Sequence, residues 1–356
     1  MTEDTMTLSR EAVAQLDPSG QLADVLALPD HLRDAHWRVE SAITNELDTP
    51  AGLVVAGMGG SAIGGALARA ALGDHASRPI FVTRAYGLPP WTTPDTTVLC
   101  ASYSGNTEET LACYESAGAL GAQRVVVTTG GQLAAAARED GVPVIPLPGG
   151  FQPRAAVAYM IVAALEIAAR CGAGPHLTSE IDVAASHAEQ LVAEWGPDAP
   201  EDSLAKEIAR GLFSTAPVIA GAGLTAPIAY RWKTQINENA KQPAFAHELP
   251  ELDHNELVGW EGAHDLDPPA RFSAVFLDDC DAHPRVKARM ELTERLIADS
   301  AAASFHVETR GQSTFERVIS LVLLGDLVSI YLAALRGVDP GPVRLIEQLK
   351  AELAER

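Results

Sequence analysis

Three segments of the chain concentrate side chains able to do chemistry. The first is Gly57-Met58-Gly59-Gly60-Ser61-Ala62-Ile63-Gly64-Gly65, a glycine-rich turn after an apolar run and before a helix-like stretch. Glycines let a backbone approach an anion closely, and a helix N-terminus supplies free N–H groups and partial positive charge. Gly60 and Ser61 are the candidate contacts. The second is Ser102-Tyr103-Ser104-Gly105-Asn106-Thr107-Glu108-Glu109-Thr110, where Ser102, Ser104 and Thr107 crowd around one glycine. Hydroxyls and backbone N–H groups can surround a phosphate without Lys or Arg. Helix capping alone would need one hydroxyl. The third is Asn237-Glu238-Asn239-Ala240-Lys241, followed by Pro250-Glu251-Leu252-Asp253-His254-Asn255-Glu256. Glu238 suits a general base and His254 a general acid. Either one taken alone is also compatible with a solvated surface residue.

These segments need elements to position them. Short apolar runs at Gly52–Gly57, Pro79–Thr83, Thr97–Ala101, Arg124–Thr128 and Val142–Leu147 alternate with helix-sized runs. That alternation predicts βαβ units and a parallel sheet. The second half repeats it at Pro217–Gly221, Gln242–His247, Phe272–Asp278 and Ser304–Glu308. Val55–Ala62 and Ile219–Ala226 share the pattern apolar-A-G-x-G-x-[S/T]-A, which suggests duplication of one α/β domain. The expected division is a helical segment over 1–50, a first domain over 51–153 with the phosphate-binding loops, a helical connector over 154–214 and a second domain over 215–356 with the Glu and His.

Two segments are strongly apolar, Ala155–Cys171 and Ser320–Arg336. Glu166 and Arg170 interrupt the first and Asp326 the second, so both are expected to be buried helices and not membrane spans. The opening MTEDTMTLSR has no basic start followed by an apolar run, so no signal peptide is expected. The four cysteines, Cys100, Cys113, Cys171 and Cys280, include no C-x-x-C pair, which argues against a metal or redox site and for a reducing, cytoplasmic setting. A net charge of −21 repels polyanions and disfavours nucleic-acid binding. A phosphorylated substrate must overcome that field locally, which the hydroxyl cluster would allow. A dinucleotide reading of the glycine turn wants an acid at the end of the next strand, where Thr83-Arg84 stands instead.

Taken in order, GMGGSAIGG, SYSGNTEET, NENAK and ELDHNE resemble the sugar isomerase (SIS) superfamily. More narrowly, they resemble its bifunctional phosphoglucose/phosphomannose isomerases, over about residues 53–350. The resemblance implies two SIS domains, each a parallel sheet flanked by helices in a flavodoxin-like three-layer sandwich, in homodimers with sites near the interface. It implies an aldose–ketose isomerase that interconverts glucose 6-phosphate and fructose 6-phosphate, with mannose 6-phosphate as a further substrate, through a cis-enediolate and without a cofactor or metal. Gly60, Ser61, Ser102, Ser104 and Thr107 would hold the phosphate. Glu238 would move the proton between C1 and C2. Arg154, in Phe151-Gln152-Pro153-Arg154, would stabilise the enediolate, and Lys350 would act at the ring oxygen. His254 would assist ring opening, either in its own subunit or in the partner subunit. Acceptance of mannose 6-phosphate would depend on the residues before the final lysine, here Gly341, Pro342, Val343 and Arg344.

Competing readings are a sugar-phosphate sensor, an isomerase of a different phosphosugar, an amidotransferase and a dinucleotide-dependent oxidoreductase. A sensor usually carries a basic DNA-binding segment, and no such segment is visible. The amidotransferase needs a glutaminase domain with an amino-terminal cysteine, whereas residue 2 is Thr2.

Overall fold

The computed structural model of the chain describes residues 7–42, 45–47, 49–263 and 271–356. Three helices come first: α1 (Arg10–Ala14), α2 (Gln21–Leu26) and α3 (Leu28–Ala42). Leu22, Val25, Leu28 and Leu32 turn into the core, while Trp37 faces solvent.

The first sheet contains β1 (Leu53–Gly57), β2 (Ile80–Thr83), β3 (Thr97–Ala101), β4 (Gln123–Thr128) and β5 (Val144–Pro146). It is parallel throughout, in the order β2-β1-β3-β4-β5. Every residue of β1 and β3 is buried, which explains why these strands are continuous apolar runs without alternation. Its helices are α4 (Gly59–Leu72), α5 (Glu108–Leu120) and α6 (Gly131–Glu139). Next come α7 (Val157–Arg170), α8 (Thr178–Trp195) and α9 (Leu204–Leu212). Helix α7 packs on α4 and α3, while α8 and α9 pack on the later helix Thr314–Leu335, so the segment 154–214 forms much of the layer between the sheets.

The second sheet contains β6 (Ala216–Gly221), β7 (Phe245–Glu248), β8 (Phe272–Asp278) and β9 (Ser304–Glu308), parallel in the order β7-β6-β8-β9. Its helices are α10 (Ala226–Asn239), α11 (Glu256–Gly259), α12 (Pro284–Ile297), α13 (Thr314–Leu335) and the terminal α14 (Arg344–Ala354). The apolar run at 242–247 yields a strand only from Phe245, and the buried Gln242 side chain before it donates through Nε2 to the Leu212 and Thr215 carbonyls.

The two sheets share one topology. In each, the strand ending in the repeated Ala-Gly turn lies one place in from the edge, with the following strand outside it. Gly57 pairs with Ala101 and Gly221 with Leu277, so the two turns leave their sheets at equivalent positions. One apolar core runs between the sheets through α7, α10 and α13, and separate clusters fill the outer face of each sheet. Each sheet is therefore the middle of three layers. Helix α13 is long and apolar enough to cross a membrane, but 94% of that window is buried inside the structure. Its single charge beyond the first turns, Asp326, is paired with Arg231 at 2.6 Å.

Candidate active site

In an open parallel sheet, ligands bind beyond the strand carboxyl ends where the strand order reverses. That point lies between β1 and β3, and both candidate phosphate loops leave the sheet there. Their hydrogen bonds tie the loops to each other. Ser61 Oγ accepts from the Tyr103 N–H at 3.3 Å, which joins the turn before α4 to the loop after β3. Ser102 Oγ accepts from the Gly105 N–H at 3.1 Å and lies 2.8 Å from Thr107 Oγ1. Ser104 Oγ accepts from the Asn106 N–H at 3.2 Å. Thr107 occupies the N-cap position of α5, yet its hydroxyl caps no backbone N–H; it pairs with Ser102 instead. The first-turn donors of α5 therefore stay available beside an exposed Ser104 and a half-buried Thr107, while Ser61 and Ser102 are buried behind them.

Gly60 connects this cradle to the rest of the site. A Cβ there would meet the Pro153 carbonyl oxygen at 2.7 Å and Arg154 Cα at 3.1 Å, so α4 starts directly against the Arg154 backbone. The Arg154 side chain, 3% exposed, then reaches toward the end of α10. Its Nε donates to Asn239 Oδ1 at 2.6 Å, and Nη2 donates to the Pro340 and Gly341 carbonyls at 2.6 and 2.9 Å. Nη1 makes only long contacts, 3.4 Å to Gln152 Oε1 and 3.4 Å to Glu238 Oε2. A guanidinium has five N–H donors. Three are fastened by short bonds to neutral oxygens, and the two on Nη1, next to Glu238, are loosely engaged. Burial pushes the Arg154 guanidinium below its usual range, with Glu238 opposing that shift and Arg231 adding to it.

Glu238 sits in the last turn of α10 and is partly open to solvent. It lines a groove of about 710 Å³ with Asn237, Lys241, Asp339, Pro342 and the first turn of α14. Lys241 closes the helix end in a left-handed conformation, φ 53°; its ammonium donates to the Glu238 carbonyl and, at 3.1 Å, to the Pro340 carbonyl. Burial and nearby Arg154 hold that ammonium below the usual lysine range, against the opposing pull of Asp339 and Glu238.

The cradle residues, Arg154 and Glu238 thus form one connected set. His254 and Lys350 are not part of that set within one chain. His254 ends a short turn after β7, exposed, and is not among the residues lining the Glu238 groove. Lys350 is exposed on α14, one turn beyond the residues of that helix that line the groove. Sequence reasoning missed Asn239, Arg231, Asp326 and Lys241. A signal existed for two of them: Arg231 and Asn239 stand eight residues apart, with Gln235 between, on the face of α10 where Ile228, Trp232 and Ile236 mark the core.

Residues 201–353 match the family described as Bacterial phospho-glucose isomerase C-terminal SIS domain. The chain is 41% identical over 305 residues to the Bifunctional phosphoglucose/phosphomannose isomerase of Caldicellulosiruptor bescii, covering 85% of this chain and 89% of that one. It is 39% identical over 319 residues to the protein of the same name from Aquifex aeolicus, covering 87% and 93%. Among solved structures, a glucose-6-phosphate isomerase like protein from Thermus thermophilus shares the fold at TM-score 0.63 and 20% identity, covering 96% of this chain and 98% of that one. With that identity extending over more than four-fifths of its length, the chain belongs to the bifunctional phosphoglucose/phosphomannose isomerase family of SIS proteins.

Proposed function

We propose that this protein is an aldose–ketose isomerase that interconverts glucose 6-phosphate and fructose 6-phosphate and also accepts mannose 6-phosphate. The observation that carries this reading is Arg154, whose backbone abuts the phosphate-cradle turn at Gly60 and whose Nη1 lies 3.4 Å from Glu238. In the proposed mechanism, Ser104, Thr107 and the first amides of α5 hold the phosphate, with Ser61, Ser102 and Gly60 shaping the cradle. That handle orients the reacting carbons. The Glu238 carboxylate removes the proton next to the carbonyl and returns it to the neighbouring carbon. Negative charge then develops on oxygen, and Arg154 Nη1, free of short bonds, meets that charge as it forms. His254, supplied by the partner subunit, assists ring opening, and Lys350 acts at the ring oxygen. Neither proton step calls for a metal or a redox cofactor.

We further propose that the protein works as a homodimer in the cytoplasm, at the aldose–ketose step shared by glycolysis and gluconeogenesis. The exposed apolar stripe of α14 supports the dimer: Leu345, Leu349 and Leu353 recur every four residues at 82%, 58% and 47% exposure.

The test is proton NMR in heavy water with each of the three hexose phosphates. The expected result is deuterium at C1 or C2 together with product. Glu238→Gln should lose at least about 10³-fold in kcat while inorganic phosphate still protects against thermal unfolding. Ligand protection without exchange for any sugar would make the protein a sensor.

A further inference from the structure

Helix α10 carries Arg231, Gln235 and Asn239 at four-residue spacing into its interface with α13, and all three are buried. The interface is otherwise apolar, with Leu321, Leu324, Leu327 and Val328 on α13 and Ile228, Trp232 and Ile236 on α10 in one core. Arg231 pairs with Asp326 through Nε at 3.0 Å and Nη2 at 2.6 Å. The same Nη2 donates to the backbone carbonyl of Arg154 at 3.1 Å. Gln235, between Arg231 and Asn239 on the helix, borders a small cavity with Arg154, Asn239 and Asp326. Two turns beyond Arg231, Asn239 Nδ2 donates to Ser329 Oγ at 2.8 Å while its Oδ1 accepts from Arg154 Nε.

Stability does not account for this ladder. Replacing a fully buried ion pair with packed apolar residues is often neutral or stabilising. The ladder does have a common endpoint. Arg231 holds the Arg154 backbone and Asn239 holds its side chain, and each is itself tied to α13, at Asp326 and Ser329. Neither anchor places a carboxylate on the guanidinium, so it is located without its charge being cancelled. Its loosely held end is left facing Glu238.

We propose that Arg231 and Asn239, with Asp326 and Ser329, are positioning residues that fix the Arg154 guanidinium against Glu238 and so set the rate of proton transfer and not the affinity for sugar phosphate. This rests on the reading of Arg154 and Glu238 given above. Misplacing a catalytic group by about 1 Å can cost roughly 10²-fold.

The test is a double-mutant cycle on the full-length protein, with kcat and KM for fructose 6-phosphate measured per folded molecule, the folded fraction coming from near-UV circular dichroism. Asn239→Leu removes the Nε acceptor at nearly constant volume. It should lower kcat about 100-fold and leave KM within about threefold. In an Arg154→Ala background the same substitution should cost almost nothing, because it acts only through Arg154. A second route avoids a buried unpaired donor: the paired change Arg231→Met with Asp326→Leu should hold or raise the melting temperature while kcat falls. Equal costs of Asn239→Leu with and without Arg154 would overturn the proposal, as would full kcat in the paired variant. Glu238→Gln is the control for the underlying site. If that variant stays active, the site reading is wrong; if it is inactive while the ladder variants keep full kcat, only the positioning role is wrong.

Discussion

Asp24 on α2 shows how far the electrostatics of the site extend. It borders a small cavity shared with Arg154, Gln235, Asn239 and Asp326. Burial, with the Asp17 charge adding to it and Arg154 opposing it, lifts its carboxyl to about 6. An acid whose proton affinity is higher in the folded state than in the unfolded chain makes folding more favourable as pH falls from about 6 toward about 4, and carries a cost above that range. The full shift corresponds to about 3 kcal/mol, but Asp24 is only half-buried, and solvent screening leaves ~1 kcal/mol. Asp24→Asn should therefore stabilise the protein by ~1 kcal/mol at about pH 7.5 and by almost nothing at about pH 4, measured by urea unfolding at both values. A loss of stability at the higher pH would mean that the attraction to Arg154 outweighs burial. Residues of this kind were not legible in the sequence, since an aspartate in an N-terminal helix looks like ordinary surface. Glu238, Ser104 and Thr107 were legible because they stand in short runs of unusual chemistry, whereas Asn239 stood in such a run and still passed as a neighbour of Glu238.

At the scale of the element, backbone geometry fixes the loop that carries the hydroxyls. The loop after β3 turns at Gly105, φ 70°, where a Cβ would collide with the Gly130 carbonyl oxygen. Gly105→Ala must therefore distort both this loop and the turn before α6. It also strains a left-handed position, which alone costs on the order of 1 kcal/mol. The expected outcome is a destabilisation of about 2–4 kcal/mol and a rise in KM of at least about tenfold, since the carbonyl contact cannot relax without moving Ser104 and Thr107. Calorimetry and steady-state kinetics check the two halves separately; an unchanged KM would remove the loop from phosphate binding. The strands were nearly all readable as apolar runs. Phe272–Asp278 and Ser304–Glu308 stand as expected, and β5 and β7 are shorter than their apolar runs. The α10 ladder obeys the helical period as well, but its apolar neighbours dominate that face, and only the packing of α13 shows that its polar members point inward.

At the scale of the whole molecule, the two sheets and their shared core form a platform from which α14 stands apart. No other described element packs extensively on that helix. Its exposed leucines and the outward Lys350 make sense together if a second copy covers this face, and the proposed partner-supplied His254 requires such a neighbour. One chain's sequence names both residues without placing them, because their positions depend on a surface that the chain alone does not complete. Each subunit carries a formal charge of −21, so two copies repel at long range. Association must come from short-range apolar burial, worth about 1.5–3 kcal/mol per fully covered leucine. Added salt screens the repulsion and leaves the burial intact. The dimer should therefore tighten as ionic strength rises from about 0.01 to about 0.15 M, the reverse of a salt-bridged interface. Leu349→Glu should weaken it by at least about 100-fold, because a carboxylate at the centre of the stripe both loses apolar burial and needs desolvation. Sedimentation velocity across protein and salt concentrations measures both effects. A monomer at every concentration would exclude partner-supplied His254, while a dimer unaffected by Leu349→Glu would move the interface away from α14. If the dimer forms through α14, kcat per chain should fall on dilution in parallel with dissociation, since each groove would lose the groups that close it.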